Sequence, residues 1–191
     1  KIGLDGEQTF AGKGVSYCAT CDGAFFKNQE LIVVGGGDSA MEEATFLTKF
    51  ASTVHIVHRR DAFRASKIMQ ERVLSNEKIK VHFNCTIEDI QGDQKFQKVV
   101  LKNVKNNEKI ILEAGGLFVA IGHEPNSKIF ENQVELDENG YVVLKNNTET
   151  NIPGVFCAGD VHDHKYRQAV TAAGFGCMAA IDADKYLAEQ K

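Results

Sequence analysis

Apolar residues in the first half of the chain occur alternately in short runs and at helical spacing. The runs at residues 30–34 and 53–57 predict buried strands. Residues 41–50 and 65–74 place their apolar positions on one side of a helix. Parallel strands need a crossover that is usually a helix, so this β-α-β-α order predicts a parallel sheet with right-handed crossovers. We expect an α/β fold of the Rossmann type.

The pattern changes after residue 79, where the helical spacing fades. Short strands are predicted at residues 80–83, 86–90, 98–104 and 109–112, and the simplest arrangement is a meander on the parallel sheet. Residues 117–121 return to a buried strand. The turn residues that follow predict a domain boundary near residue 127, which gives a first domain at 1–127 and a second at 128–191.

The second predicted domain contains strands at 141–144 and 155–158 and a helix at about 166–187. So few elements bury little apolar surface, and a domain of this size is marginal without further support. We therefore expect it to be one portion of a larger domain.

Composition and charge exclude several classes of partner. The 191 residues carry 22 Lys and Arg against 26 Asp and Glu, and no dense basic run occurs, so we expect neither nucleic acid nor membrane binding. No apolar run approaches the roughly 18 residues that cross a bilayer. The first residue is Lys1 and no signal-peptide pattern follows it, so we expect that residue 1 is not the original start.

Cysteine usage points to a reducing, cytoplasmic compartment, because five cysteines is an odd and modest number. Cys85, Cys157 and Cys177 stand alone among apolar neighbours, so we expect them to be buried and unreactive.

A glycine turn joins the first predicted strand to the first predicted helix. In Gly35-x-Gly37-x-x-Ala40 the small residues allow a pyrophosphate to approach the backbone, and the helix N-terminus offers free N–H groups. This context predicts dinucleotide binding rather than a merely tight turn. Asp38 and Ser39 fit two roles equally, capping the helix or contacting the ligand.

Basic residues follow the second predicted strand, where the 2′ position of a bound dinucleotide is recognised. His58, Arg59 and Arg60 stand there, with Arg64 four residues further on. Guanidinium groups bind phosphate through paired charged hydrogen bonds, so NADP is favoured over NAD. The alternative is a solvated basic face.

A third motif is Cys18-Ala19-Thr20-Cys21-Asp22. Closely spaced cysteines form a reversible disulfide, and an adjacent acid can exchange protons with the thiols. A zinc site would need a second cysteine pair or nearby histidines, which the sequence lacks, so no metal is expected. An idle thiol pair is the other alternative, and Asp22 could instead cap the following turn.

Five strings in this order resemble the low-molecular-weight, bacterial and plant-type NADPH thioredoxin reductases over essentially all 191 residues. The strings are CATCDGAF, VVGGGDSAMEEA, HRRDAFRA, FVAIGHEPN and GVFCAGDVHDHKYRQAVTAAGFGCMAA. The resemblance implies a homodimeric flavoenzyme that passes electrons from NADPH through FAD and a Cys18–Cys21 disulfide to thioredoxin.

The resemblance also implies roles for individual residues. Cys21 would face the flavin, Cys18 would attack the partner, and Asp22 would be the acid and base. The residues that would hold NADPH are Gly35, Gly37, Asp38, Ser39, Ala40, His58, Arg59, Arg60 and Arg64. The FAD contacts would come from Gly159, Asp160, Arg167, Gln168 and Ala169.

The sequence departs from the family pattern at its beginning. Members of the family start with a glycine-rich strand, loop and helix for FAD, whereas only the NADPH loop is found here, so the FAD site would be partly encoded. Two alternatives follow. One is a module that binds NADP(H) without flavin or activity, and the other is a related flavoprotein that serves a peroxidase. A ferredoxin-dependent relative is disfavoured, because the basic string at residues 58–64 is intact.

Overall fold

The computed structural model describes residues 1–190, which divide into two compact units, Lys1–Gly122 and the segment from His123 onward. Unit 1 holds most of the regular structure. Its elements are α1 (Asp5–Thr9), β1 (Val15–Ser16), α2 (Ala19–Asp22), a 3₁₀ turn (Gly23–Phe25), β2 (Glu30–Val34), α3 (Asp38–Leu47), β3 (Thr53–His58), α4 (Lys67–Leu74), β4 (Ile79–Phe83), β5 (Cys85–Gly92), β6 (Phe96–Asn103), β7 (Lys109–Glu113) and β8 (Gly116–Val119).

The centre of unit 1 is a parallel five-stranded sheet in the order β1-β8-β2-β3-β4. Both of its faces are covered. Leu31 and Val33 pack with α3 and α4 on one face, while Ile32 packs against the second sheet on the other. All three side chains are fully buried, which explains why β2 is a continuous apolar run rather than an alternating one.

The second sheet is antiparallel, in the order β5-β6-β7. Its inward residues Ile87, Val99 and Leu101 share a buried cluster with Ile32 and Leu117 of the parallel sheet. Unit 1 therefore has three layers, with helices on one face of the parallel sheet and a small sheet on the other.

The predicted α/β class with a parallel sheet is confirmed. The predicted single meander is wrong, because β4 pairs in parallel with β3 along its whole length and only β5, β6 and β7 form antiparallel pairs. Helix α3 begins at Asp38, three residues before the apolar spacing indicated. The two-residue strand β1 is too short to produce a periodic pattern.

Unit 2 contains a 3₁₀ turn (Lys128–Phe130) and the helix α5 (Ala169–Glu189). The predicted strands at 141–144 and 155–158 are wrong as strands, because each segment makes a single bridge, Leu136–Val142 and Glu149–Phe156. Side chains hold these loops instead. Thr148 is fully buried, and its hydroxyl donates to the Asp182 carboxylate of α5 at 2.6 Å.

Helix α5 packs weakly for its length. None of its 21 residues is buried, and Val170 and Leu187 are 83% and 63% exposed. Within the described residues, the buried hydrophobic side chains of unit 2 are Tyr141 and Val142.

No helix within residues 1–190 has the length and apolarity needed to span a membrane.

The difference in burial predicts a difference in local stability. In the 191-residue chain, backbone amides of α5 should exchange with solvent at least about tenfold faster than those of α3, because local opening is easiest where few apolar contacts are lost. Hydrogen exchange followed by mass spectrometry measures both helices in one sample. Equal protection of α5 and α3 would contradict this expectation.

Candidate functional site

The functional residues of unit 1 gather at one edge of the parallel sheet. In a parallel sheet all carboxyl ends of the strands meet at the same edge, which is where open α/β sheets bind ligands. Cys18 follows β1, Gly35 follows β2, Arg59 follows β3 and Ala120 follows β8. The glycine loop, the basic residues and the CxxC motif therefore share this edge.

Gly35 is required by the packing of the turn after β2. Its φ is 157°, and a Cβ at this position would lie 2.3 Å from the Ala120 carbonyl oxygen and 2.7 Å from the Ala40 Cβ. Ala40 is itself fully buried. The first glycine and the alanine of the motif thus allow α3 to pack closely against the sheet.

Gly37 has a different environment from the other two glycines of the turn, Gly35 and Gly36. A Cβ on Gly36 would lie 2.2 Å from the His58 ring, whereas a Cβ on Gly37 would meet no atom within 4 Å. Gly37 is also the N-cap of α3. Open space at a helix N-terminus is what a pyrophosphate needs, so this part of the loop fits the predicted dinucleotide.

Two sets of hydrogen bonds join the glycine loop to the basic segment. The Gly36 carbonyl accepts from the backbone N–H of Arg64 at 2.7 Å. Asp38 Oδ1 accepts from the N–H and from the hydroxyl of Ser66, both at 2.9 Å. The Asp38 carboxylate therefore ties the start of α3 to the start of α4.

A cleft of about 770 Å³ opens at this edge, within the usual size of small-molecule sites. Seven of the predicted NADPH residues line it: Gly35, Gly37, Asp38, Ser39, His58, Arg59 and Arg64. Arg60 does not line the cleft, and Ala40 lies beneath the loop. Both lining arginines are exposed, so their guanidinium groups are accessible to an anion.

His58 is buried within the wall of the cleft. Its Nε2 lies 3.1 Å from the Ala62 carbonyl oxygen, and because a carbonyl only accepts, this nitrogen carries the proton. Burial lowers the pKa of His58, and Arg64, Arg60 and Arg59 lower it further, although the Ala62 carbonyl acts in the opposite direction. The ring is therefore neutral at pH 7, and the cationic side chains that line the cleft are those of Lys1, Arg59 and Arg64.

Cys18 and Cys21 form a disulfide. Cys18 is the N-cap of α2, and its sulfur accepts from the Cys21 N–H at 3.1 Å. Cys21 is exposed and Cys18 is half-buried, so the bond is accessible from solvent. The carboxylate of Asp22, the last residue of α2, accepts from the Ser16 hydroxyl at 2.7 Å. None of these four residues lines the cleft.

The remaining cysteines are free and differ in exposure. Cys85 is buried, donates to the Phe83 carbonyl at 3.3 Å and lines the cleft. Burial raises the pKa of the Cys85 thiol and of the half-buried Cys157 thiol. The expectation of a buried thiol is confirmed for Cys85 only, because Cys157 is half-buried and Cys177 is exposed on α5. Of its apolar sequence neighbours, Met178 is exposed, while Phe175 and Ala179 are half-buried.

In unit 2 the predicted FAD residues surround a loop that Asp163 organises. Asp163 is 7% exposed and accepts backbone N–H groups from Lys165, Tyr166 and Arg167 at 2.8–3.0 Å. Burial raises the pKa of Asp163, but these N–H groups and the Thr171 hydroxyl lower it, and the net effect is a pKa below the ordinary range. An ionised Asp163 thus fixes the loop that carries Arg167, whose φ is 49°.

The other predicted residues of unit 2 lie on either side of this loop. Gln168 is the N-cap of α5 and forms a capping box with Thr171, and Ala169 is the first residue of the helix. Asp160 is exposed, and the preceding Gly159 has a φ of 82°. The exposed Asp160 carboxylate could contact a polar edge of a cofactor, whereas the capping box already engages the first turn of α5. Sequence reasoning missed Asp163 and Ser66, because their hydrogen-bond partners are set by loop conformation.

No group of His, Cys, Asp and Glu side chains suited to a metal ion occurs in the part of the chain that the structure describes.

A family model for pyridine nucleotide-disulphide oxidoreductases matches residues 1–176. The chain belongs to the pyridine nucleotide-disulphide oxidoreductase family.

Relatives of this pyridine nucleotide-disulphide oxidoreductase carry a more specific name. A thioredoxin reductase of Mycolicibacterium smegmatis is 56% identical over 190 residues, which cover 99% of this chain and 61% of the relative. The crystal structure of thioredoxin reductase from Streptococcus pyogenes MGAS5005 superposes with a TM-score of 0.93 at 41% identity, covering 98% of this chain and 61% of that one. Thioredoxin reductase from Giardia duodenalis gives 0.88 at 46% identity, covering 98% and 62%.

The predicted resemblance to thioredoxin reductases is therefore confirmed over nearly the whole chain. The chain spans about 60% of the length of the curated thioredoxin reductases that it matches.

The glycine loop yields a matched pair of variants. Gly35→Ala should destabilise unit 1 by about 1–3 kcal/mol, because the new Cβ meets a carbonyl oxygen and Ala40 in a backbone conformation that favours glycine. Gly37→Ala adds the same atom in open space, so its effect should be about 1 kcal/mol or less. Urea unfolding followed by circular dichroism compares the two. A larger loss for Gly37→Ala would contradict the packing argument.

Proposed function

We propose that this chain carries the NADP(H)-binding part and the redox disulfide of a thioredoxin reductase. The observation that carries the proposal is the position of a dinucleotide-type cleft and an accessible Cys18–Cys21 disulfide at the same edge of one parallel sheet. The names of the relatives support thioredoxin as the substrate. When bound, NADPH supplies a hydride and FAD relays the electrons to a disulfide.

The cleft supports NADPH over NADH. The pyrophosphate would lie against Gly37 and the start of α3, where the N–H groups are free and a side chain is absent. Arg59 and Arg64 would bind the 2′-phosphate, since both line the cleft and both are exposed. His58 would shape the cleft as a neutral ring that packs under Gly36.

The Cys18–Cys21 pair would transfer two electrons to the partner by thiol–disulfide interchange. After reduction, the Cys18 thiolate attacks one sulfur of the partner disulfide, that bond breaks, and one partner thiolate leaves. The Cys21 thiolate then attacks the Cys18 sulfur and releases the second partner thiolate. Asp22 would move the two thiol protons, which end on the partner. The chain returns to the disulfide found in the structure.

Unit 2 would contribute one side of an FAD site. Asp160 and the start of α5 offer the polar contacts, and Asp163 keeps the Arg167 loop in place. The family resemblance would make the enzyme a homodimer. The free cysteines favour the cytoplasm, because thiols persist in reducing compartments.

Nucleotide preference tests the role of the arginines. Arg59→Ala and Arg64→Ala should each weaken NADPH binding roughly 10- to 100-fold and leave NADH binding nearly unchanged, because a charged hydrogen bond to phosphate contributes about 1.5–3 kcal/mol. Arg60→Ala is the matched control, since Arg60 lies outside the cleft lining, and its effect should be smaller. Calorimetric titration with both nucleotides gives the ratios. Equal losses for NADPH and NADH would refute a 2′-phosphate site here.

Thiol labelling tests the redox pair. In the untreated, folded chain an alkylating reagent should modify Cys177 and spare Cys18 and Cys21, which are disulfide-bonded. After mild reduction Cys18 and Cys21 should become modified as well, while Cys85 and Cys157 stay slow, because burial raises their thiol pKa. Repeating the experiment with a Cys177→Ser variant removes the labelling at the exposed Cys177. If Cys85 reacts faster than Cys18 and Cys21 after reduction, the assignment of the redox pair is wrong.

A further inference from the structure

Ser16 connects the end of β1 to the disulfide loop. Its side chain is 5% exposed, and its backbone is held in the sheet by pairing with Phe118 of β8. The Ser16 hydroxyl lies 2.7 Å from Asp22 Oδ2, 3.1 Å from the Cys18 amide nitrogen and 3.4 Å from the Cys18 carbonyl oxygen. One buried hydroxyl thus contacts both ends of the segment from Cys18 to Asp22.

The donor and acceptor roles at this hydroxyl follow from its chemistry. A serine has one proton to donate and two lone pairs that accept. The Cys18 N–H can only donate, so the hydroxyl accepts there and its own proton is available for Asp22 or for the Cys18 carbonyl. The contact with the carboxylate is much shorter and is assisted by charge, so the proton points to Asp22.

This hydrogen bond restricts the Asp22 carboxylate. It is the only side-chain hydrogen bond of Asp22 within residues 1–190, and it engages Oδ2. The Asp22 N–H donates to the Cys18 carbonyl at 3.1 Å, which fixes the backbone of the same residue. Without the serine hydroxyl, the carboxylate of a half-exposed residue would be free to rotate toward solvent.

We infer that Ser16 is a positioning residue that holds Asp22 beside the cysteine pair, so that the free carboxylate oxygen can exchange protons with the thiols during disulfide interchange. The inference rests on the proposed function, in which Asp22 moves these protons. Ser16 does not itself touch a reacting atom; it acts through Asp22 and through the Cys18 backbone.

The test uses the reduced 191-residue chain carrying Cys177→Ser and hydroxyethyl disulfide as the oxidant. In this reaction the two cysteine thiols become the Cys18–Cys21 disulfide, the oxidant becomes two molecules of mercaptoethanol, and the two thiol protons end on these products. Neither NADPH, FAD nor thioredoxin takes part. Quenching with iodoacetamide and counting the labels by mass gives the rate between pH 5.5 and pH 9.

Ser16→Ala should slow oxidation about tenfold at the acid end of this range, where few thiols are ionised and a placed base matters most. The difference should shrink above the ordinary thiol pKa, near 8.5, because thiolates then form without help. Asp22→Asn should show the same pH dependence, and the double variant should be no slower than Asp22→Asn alone, because both changes remove one function. Ser52→Ala removes an exposed serine hydroxyl elsewhere in unit 1 and should change nothing.

A second pair of variants keeps the test decisive if the alanine change impairs folding. Ser16→Thr keeps the hydroxyl and should keep the pH profile of the parent chain. Ser16→Val introduces a side chain of nearly the same shape as threonine but without the hydroxyl, so it should lose that profile. An unchanged profile in Ser16→Ala or in Ser16→Val overturns the inference, and so does a loss that is equal at every pH and multiplies with that of Asp22→Asn. If the parent chain itself does not oxidise at Cys18 and Cys21, the proposed function fails rather than the role of Ser16.

Discussion

Parallel pairing of β1, β8, β2, β3 and β4 is the constraint on which the rest of unit 1 depends. Parallel strands leave both faces of a sheet to be covered and bring their carboxyl ends to one edge. Helices α3 and α4 cover one face and the β5-β6-β7 sheet covers the other. The loops that follow β1, β2, β3 and β8 therefore lie at the same exposed edge, and they contain the candidate functional residues of the unit.

Close packing shapes the nucleotide cleft before any ligand enters it. Gly35 allows α3 to approach the sheet, and Gly36 makes room for the His58 ring. The Gly36 carbonyl then receives the Arg64 N–H, which brings a second arginine to the cleft. A loop of three glycines thus has two positions occupied by the protein's own packing and one, Gly37, that faces open space. This division explains why a short motif can serve both the fold and the ligand.

The two units differ in how completely they bury their apolar residues. Unit 1 has two buried clusters on the two faces of its sheet, whereas α5 in unit 2 exposes apolar side chains along its length. In unit 2, polar side chains act as anchors for the loops. The Thr148 hydroxyl donates to the Asp182 carboxylate, and the Asp163 carboxylate accepts from three successive backbone N–H groups. Such anchors fix local conformation, but they supply little of the apolar burial that stabilises a domain.

The sequence by itself determined the alternation of strands and helices, the glycine motif, the basic segment and the cysteine pair, because periodicity and spacing are local properties of a chain. Residues 30–34 therefore form the predicted strand. Only the tertiary structure decided that β4 joins the parallel sheet and that residues 141–144 remain a loop, since strand pairing depends on partners distant in sequence. The same holds within the site. The bond from Ser16 to Asp22, the burial of His58 and the position of Arg60 outside the cleft depend on how loops meet in space, and no local pattern encodes that.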